Sequence, residues 1–120
     1  ALVRQGAFDF ASGREAAEAL IALPAPPTAI FASNDDMAAG ILAYAHSLGL
    51  DVPQDLSVAG FDDTALASLV WPPLTTIRQP VRDLAYTATQ LLLRPDADVI
   101  HQRLPHELII RSSTGRPRTA

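Results

Sequence analysis

Polar side chains follow two short, largely apolar segments at equivalent points. Asn34 comes directly after the run AIFAS, and the pair Asp62 and Asp63 comes directly after LSVAGF. Amide and carboxylate groups form directional hydrogen bonds with ligands that carry hydroxyl groups. If the two segments are strands of an open α/β sheet, these side chains lie in the crevice beyond the carboxyl ends of the strands, where such sheets bind ligands. The sequence therefore marks Asn34 and Asp62 as candidate ligand-binding residues.

Each candidate also has a second interpretation. Asn is a preferred N-cap, so Asn34 can equally cap the helix that follows. Paired carboxylates such as Asp62 and Asp63 at a strand end could instead serve magnesium-dependent phosphoryl transfer. That chemistry usually needs a cationic partner such as Lys, but all nine basic residues are Arg. Because the sequence also shows no Gly-x-Ser-x-Gly elbow and no nucleophile and base pair, an enzyme is disfavoured and no cofactor is expected.

Composition narrows the classes of function that remain for this chain. The chain has 120 residues, 48% hydrophobic and 18% charged, which suits one soluble globular unit. A net charge of −4 opposes nucleic-acid binding by this segment, and the absence of Cys removes disulfides and thiolate chemistry. Three histidines lack metal-ligand spacing and are expected to be solvated or capped, so no metal site is predicted: His46, His101 and His106. The chain starts on Ala1 with an apolar residue next, and we expect it to begin inside a larger protein.

Hydrophobic periodicity predicts alternating helices and strands that position these residues. Ser12 and Glu15 have capping-box spacing, which predicts a helix from Ser12 to about Leu23. This order implies parallel strands joined by right-handed crossovers, in an α/β fold. The predicted elements that follow are a strand at 28–33, a helix from 34 or 35 to 48, a strand at 56–61, at most a short helix at 64–69, an extended segment at 74–77, a helix at 81–93, a loop at 95–98, a strand at 103–110 and a polar tail from 112.

Four motifs resemble the lactose-repressor/galactose-repressor family of bacterial transcription regulators. They are NDDMAAG (34–40), LGLDVPQDLSVAGFDD (48–63), PPLTTIRQP (72–80) and RSSTG (111–115), in the order and spacing of that family. The resemblance implies an incomplete C-terminal lobe of a periplasmic-binding-protein-like, type I effector-binding core. The helix-turn-helix headpiece, the first lobe and the opening strand of the second lobe would then lie upstream, so that this chain alone would not recognise an operator.

The resemblance also implies a division of the chain between two lobes. Residues 1–77 would form part of the C-terminal lobe, and 78–100 would cross to the first lobe and supply a helix to it. Residues 101–111 would return as a strand, with 112–120 as a tail. The crossings would fall near Arg78 and Gln79 and near Asp96. An apolar helix face would then lack its partner, and we expect the chain in isolation to self-associate or exchange this helix.

The same resemblance implies roles for individual residues. An aromatic near the effector is expected at Phe8, which also has a core interpretation, and Gln79 and Val81 match positions that line the cleft or pack at the hinge. With Asn34 and Asp62 these residues form the predicted ligand set. The predicted dimer interface comprises Ala39, Val70 and Trp71, although a Trp before two prolines is also typical of a packed loop anchor.

The function implied is that of an effector-binding and dimerisation module. A small molecule would close the cleft and change the DNA affinity of attached headpieces in a cytoplasmic regulator. A sugar or sugar derivative is expected, with a nucleobase, nucleoside or sugar phosphate as the alternatives. The alternatives are a secreted sugar-binding protein of the same architecture and, more remotely, the phosphoryl-transfer enzyme. The sequence PPLTTIRQP favours the regulator.

Overall fold

The architecture alternates four helices with four short strands. A computed structural model of the chain describes residues 2–93 and 101–117. The loop predicted at 95–98, with the crossing near Asp96, lies outside the described residues. Within them the elements are α1 (Phe10–Ile21), β1 (Ala29–Phe31), α2 (Asp35–Ser47), β2 (Ser57–Ala59), α3 (Ala65–Leu69), β3 (Thr76–Arg78), α4 (Val81–Leu92) and β4 (Glu107–Ile109).

The central strands are parallel, as the alternation predicts. β1 pairs with β2 so that Phe31 lies opposite Ala59. Two parallel bridges, Ala59 to Thr75 and Asp62 to Arg78, place β3 beside the segment that follows β2. β4 then pairs with β3 in the antiparallel direction. The observed order is therefore β1, β2, β3, β4, with all strands shorter than the predicted segments.

The start of α1 differs from the prediction. The helix begins at Phe10, and the N-cap is Asp9, whose carboxylate accepts from the backbone amide of Ser12 at 2.8 Å. This hydrogen bond holds the pKa of Asp9 below its ordinary value. The predicted capping role of Ser12 is wrong, because an Asp three residues earlier satisfies the first-turn amides and leaves Ser12 inside the helix.

α2 contributes more residues to the core than any other element. Eight of its thirteen residues are buried, and they pack against side chains from α1, β1, β2 and the segment before β3. Two glycines let α1 and α2 approach closely: a Cβ on Gly13 would collide with the Met37 backbone, and one on Gly40 with that of Phe10. The predicted helix ending at Gly49 is confirmed, since Gly49 follows the C-cap Leu48 with a φ of 71°.

The chain after β4 is held in the sheet and does not form the predicted polar tail at its start. Ser113 is fully buried. Its hydroxyl donates to the Val58 carbonyl at 2.6 Å and accepts from the Thr75 amide at 2.8 Å. The prediction failed because polarity was taken as exposure, whereas a buried Ser can satisfy two backbone groups at once.

α4 contrasts with the rest, because none of its twelve residues is buried. Val81 and Leu92 are exposed apolar side chains, and Leu84 is also on the surface. A cavity of about 270 Å³ separates α4 from residues 101–104. The helix predicted at 81–93 is thus present, but it packs little against the elements described here.

Candidate functional site

Asn34 and Asp62 lie at matching points beyond paired strands. Phe31 and Ala59 are paired across β1 and β2, and each candidate follows three residues later. Neighbouring strands lie about 4.8 Å apart, so the carboxyl ends of β1 and β2 present Asn34 and Asp62 at the same edge of the sheet. The structure thus places both residues at one edge of the sheet, and a ligand-binding crevice there stays a prediction.

Asn34 is the N-cap of α2. Its Oδ1 accepts from the Met37 amide at 2.9 Å, and its Nδ2 donates to the Phe8 carbonyl at 2.9 Å. The residue is only 8% exposed. The capping interpretation is confirmed, but the amide keeps one N–H and one lone pair beyond these two bonds. A ligand contact from Asn34 is compatible with the cap and remains a prediction.

Phe8 lies next to Asn34 through its backbone. Its φ of 60° is in the left-handed region, which a bulky residue rarely adopts. Its side chain is exposed, with 65% of the residue accessible. The core interpretation of Phe8 is therefore wrong for the described chain, and an open aromatic face stands beside the capped end of α2.

Asp62 occupies an irregular backbone turn. The φ angles of Asp62 and Asp63 are 107° and 53°, both in the region that favours glycine. The Asp62 amide donates to the Ile77 carbonyl at 2.9 Å. Its Oδ1 accepts from Gln79 Nε2 at 2.6 Å. Two of the predicted ligand residues, Asp62 and Gln79, are thus brought into direct contact.

Asp63 is bound by two arginines that sequence reasoning did not single out. Arg78 reaches its Oδ2 through Nη2 at 2.6 Å and Nε at 2.7 Å, and Arg111 Nη2 reaches its Oδ1 at 2.6 Å. The Asp63 side chain is only 6% exposed. Asp63 thus braces the turn, and its two Arg partners come from β3 and from the residues after β4.

The charges around Asp63 act on its ionisation. Burial raises the pKa of its carboxyl, but the hydrogen bonds and positive charges of Arg111 and Arg78 together outweigh burial and hold the pKa below its ordinary value of 3.8. The same contact raises the pKa of the Arg78 guanidinium. Asp63 is therefore an ionised, paired carboxylate, unsuited to metal or proton-transfer chemistry.

The other predicted residues lie apart from these contacts. Val81, the first residue of α4, is exposed, and its amide donates to the Gln79 carbonyl at 2.9 Å. Of the predicted dimer residues, Trp71 is 78% exposed, Val70 is partly buried, and Ala39 is buried inside the chain. Only the small exposed fraction of Ala39 could take part in a dimer contact.

The side chains at the predicted site are of types suited to binding a ligand. Asp62 and Asn34 offer acceptor groups, and Phe8, whose carbonyl is bound to Asn34, offers an exposed aromatic ring. These groups are of the kind suited to the hydroxyls and apolar face of a polyhydroxylated ligand. Among residues 2–93 and 101–117, no group of three His, Asp or Glu could hold a metal ion. The cavity of about 300 Å³ beside β1 is lined by residues such as Leu2, Phe31 and Ile41, away from Asp62.

Comparison with known proteins identifies this class of fold. Residues 2–114 match the family model of the periplasmic binding protein-like domain. The chain therefore belongs to that family, with an α/β architecture whose central strands are parallel. No helix in the described parts of the chain is long and apolar enough to cross a bilayer.

Within this class the chain is a member of the lactose-repressor (LacI) family, as the motifs predicted. It is 43% identical over 117 residues to the HTH-type transcriptional repressor CytR of Escherichia coli K12, covering 93% of this chain and 34% of that protein. It matches the dimeric Lac repressor at 36% identity with a TM-score of 0.86, covering 96% of this chain and 43% of that one.

A third similar protein has been solved with a bound ligand. A LacI family transcriptional regulator from Enterococcus faecium with bound ribose is 32% identical, with a TM-score of 0.77 over 91% of this chain and 41% of that one. The chain spans 27% to 34% of the length of the first curated relatives that it matches. The activity of the whole protein is therefore proposed and not shown by these matches.

Proposed function

We propose that this chain is the C-terminal part of the effector-binding core of a transcriptional regulator, and that it binds a small polyhydroxylated molecule. The observation that carries this proposal is the matched placement of Asn34 and Asp62 beyond the paired residues of β1 and β2. Both side chains offer acceptors, and Asn34 also offers a donor, as vicinal hydroxyl groups require.

The proposed ligand set comprises Asn34 and Asp62 with three neighbours. Phe8 supplies an exposed ring that can cover the apolar face of a sugar. Gln79 already contacts Asp62 and can orient its carboxylate toward a ligand. Val81 is exposed beside Gln79 and lines the same opening in this proposal.

We propose that this chain forms only one side of the ligand-binding cleft. We propose that 78–100 crosses to a first lobe that lies upstream and that α4 packs there, while 101–111 returns to the lobe described here. The absence of any buried residue in α4 supports this assignment. Ligand contacts on the far side of the cleft would come from that first lobe.

We propose regulation of transcription as the activity of the whole protein, in the cytoplasm and as a homodimer. Its curated relatives are named as repressors of the HTH type, which favours a regulator over a secreted binding protein and over an enzyme. DNA would be bound by an upstream headpiece. The dimer contact would use Ala39, Val70 and Trp71, in line with the dimeric Lac repressor neighbour.

A thermal-shift screen of the full-length protein tests the ligand class. Ribose, sucrose, other monosaccharides and nucleosides form the panel, because neighbours have been solved with bound ribose and bound sucrose. A ligand present at 100 times its Kd stabilises the folded state by about 2.7 kcal/mol, which is a shift of several degrees. Stabilisation by one compound of this hydroxyl-rich panel supports the proposal, and stabilisation by none of them contradicts it.

A further inference from the structure

Asp35 is a buried carboxylate that the ligand set does not use. It is 0% exposed, at the first position of α2. Its Oδ2 accepts from the Thr64 amide at 2.7 Å and from the Thr64 hydroxyl at 3.2 Å. Its Oδ1 accepts from the Thr76 hydroxyl at 2.6 Å. One side chain therefore joins three segments of the chain.

These segments are the ones that carry the proposed ligand residues. Asp35 directly follows Asn34, and Thr64 lies two residues after Asp62. The carboxylate also lies against the end of β2, since a Cβ on Gly60 would be 2.5 Å from its Oδ1. Asp35 is thus a cross-link between the loop after β1 and the loop after β2.

We propose that Asp35 is a positioning residue that fixes the spacing and orientation of Asn34 and Asp62. The proposal rests on the ligand-binding function proposed above. Because Asp35 is fully buried, it acts through Thr64 and Thr76 and does not touch the ligand itself.

Packing alone gives no reason for a carboxylate at this position. Burial of a polar side chain is costly unless its atoms are hydrogen-bonded, and Thr64 and Thr76 supply the hydrogen bonds to Asp35 here. The loop that Asp35 holds contains two successive non-glycine residues, Asp62 and Asp63, with φ of 107° and 53°. Such conformations persist only where the surroundings enforce them, and the bonds from Thr64 to Asp35 provide that restraint.

Amide hydrogen exchange in the full-length protein without ligand tests the cross-link. Asp35→Asn keeps one acceptor oxygen and replaces the other with an NH₂ group, so the side chain can no longer accept from both Thr64 and Thr76. We expect exchange to accelerate at the Thr64 amide and also at the Met37 amide, which is bound to Asn34, by about tenfold or more. The Val58 amide in β2 should keep its rate, because it is bound to Ser113. Equal acceleration at all three amides would mean general destabilisation and would overturn the proposal.

Two further variants keep the test decisive if Asp35→Asn does not fold. Thr76→Val is close to isosteric and removes the 2.6 Å bond to Asp35 together with the longer, 3.4 Å bond that the Thr76 hydroxyl accepts from the Asp63 amide. The Thr64 and Met37 amides should therefore accelerate together by a smaller factor, about threefold. The matched control is Asp63→Asn, which loosens the Asp62 loop without touching Asn34, so that Met37 keeps its rate. Acceleration of Thr64 without Met37 in Thr76→Val would overturn the proposal.

Calorimetric titration with ribose as the probe separates positioning from stability. A positioning role predicts a Kd raised by about tenfold in Asp35→Asn at unchanged stoichiometry. A lower stoichiometry with the wild-type Kd would indicate fewer folded molecules with an intact site and would contradict positioning. If ribose does not bind the wild type, the sugar-binding proposal fails for ribose, and the exchange measurement still decides the role of Asp35.

Discussion

Helices α2 and α4 are almost equal in length but differ completely in what covers them. α2 has thirteen residues, eight of them buried, whereas α4 has twelve and buries none. Both carry apolar residues at helical spacing, so hydrophobic periodicity alone does not separate them. The difference shows that the proposed ligand residues Asn34 and Asp62 stand on the packed part of the molecule, where side-chain geometry is well restrained.

The boundary between the two regions falls at Gln79. This residue lies between β3 and α4, and its side chain is bound to Asp62. A ligand that binds Asp62 must therefore either lie beside the Gln79 side chain or displace its hydrogen bond to Asp62. In the proposed regulator, this places the ligand at the segment that leads from the packed lobe to α4.

Truncation of a core residue is the largest expected effect and tests the contrast directly. Leu42→Ala in α2 should lower the free energy of unfolding of the 120-residue chain by about 2–5 kcal/mol, because Leu42 is buried in the core. Leu92→Ala in α4 should change it by less than about 0.5 kcal/mol, because Leu92 is exposed. Urea unfolding measures both, and equal costs would break the distinction between the helices.

The pH dependence of stability tests the ion pairs that brace the packed region. The pKa of Asp63 is lowered in the folded state, so its ionised form stabilises the fold above about pH 4. This contribution is lost as the pH falls through the lowered folded-state pKa. Thermal unfolding should show a wild-type advantage over Asp63→Asn that is constant from pH 7 to 5 and shrinks below pH 4. An advantage independent of pH down to 3 would contradict the assignment.

The uncovered face of α4 predicts association of the isolated chain. Leu84, Ala88 and Leu91 lie at helical spacing along the cavity that faces residues 101–104. Light scattering on the 120-residue chain should show an apparent mass that rises with concentration, and Leu84→Asp should reduce that rise. Gln90→Glu, an exposed position on α4, serves as the control for added charge. A monomer at every concentration would contradict this account of α4.

Much of the fold follows from local sequence. Helix α2, its cap and its end at Gly49 were predictable because capping, periodicity and a left-handed terminal glycine agree there. The direction of β1 and β2 followed from the alternation of elements. The start of α1 did not, because Asp9 and Ser12 are both good caps and only the folded backbone selects between them.

The partners of the site residues were beyond sequence reasoning. Asp63 and Arg111 are far apart in the chain, and nothing in their local sequence indicates an ion pair. The role of Asp35 was equally hidden, since an acidic residue in the first turn of a helix is explained by the helix dipole alone. Only the fold brings Thr64 and Thr76 to it. Long-range polar contacts thus explain the parts of the site that the sequence motifs did not predict.

The most direct test of the account is the affinity of Asp62 variants for a hydroxyl-rich ligand. Isothermal titration of the full-length protein with the best sugar of the thermal-shift panel compares wild type, Asp62→Asn and the control Asp36→Asn. Asp36 is exposed in the first turn of α2 and loses the same charge. The account predicts a Kd raised at least about tenfold in Asp62→Asn, with Asp36→Asn close to wild type. An unchanged Kd in Asp62→Asn would contradict it.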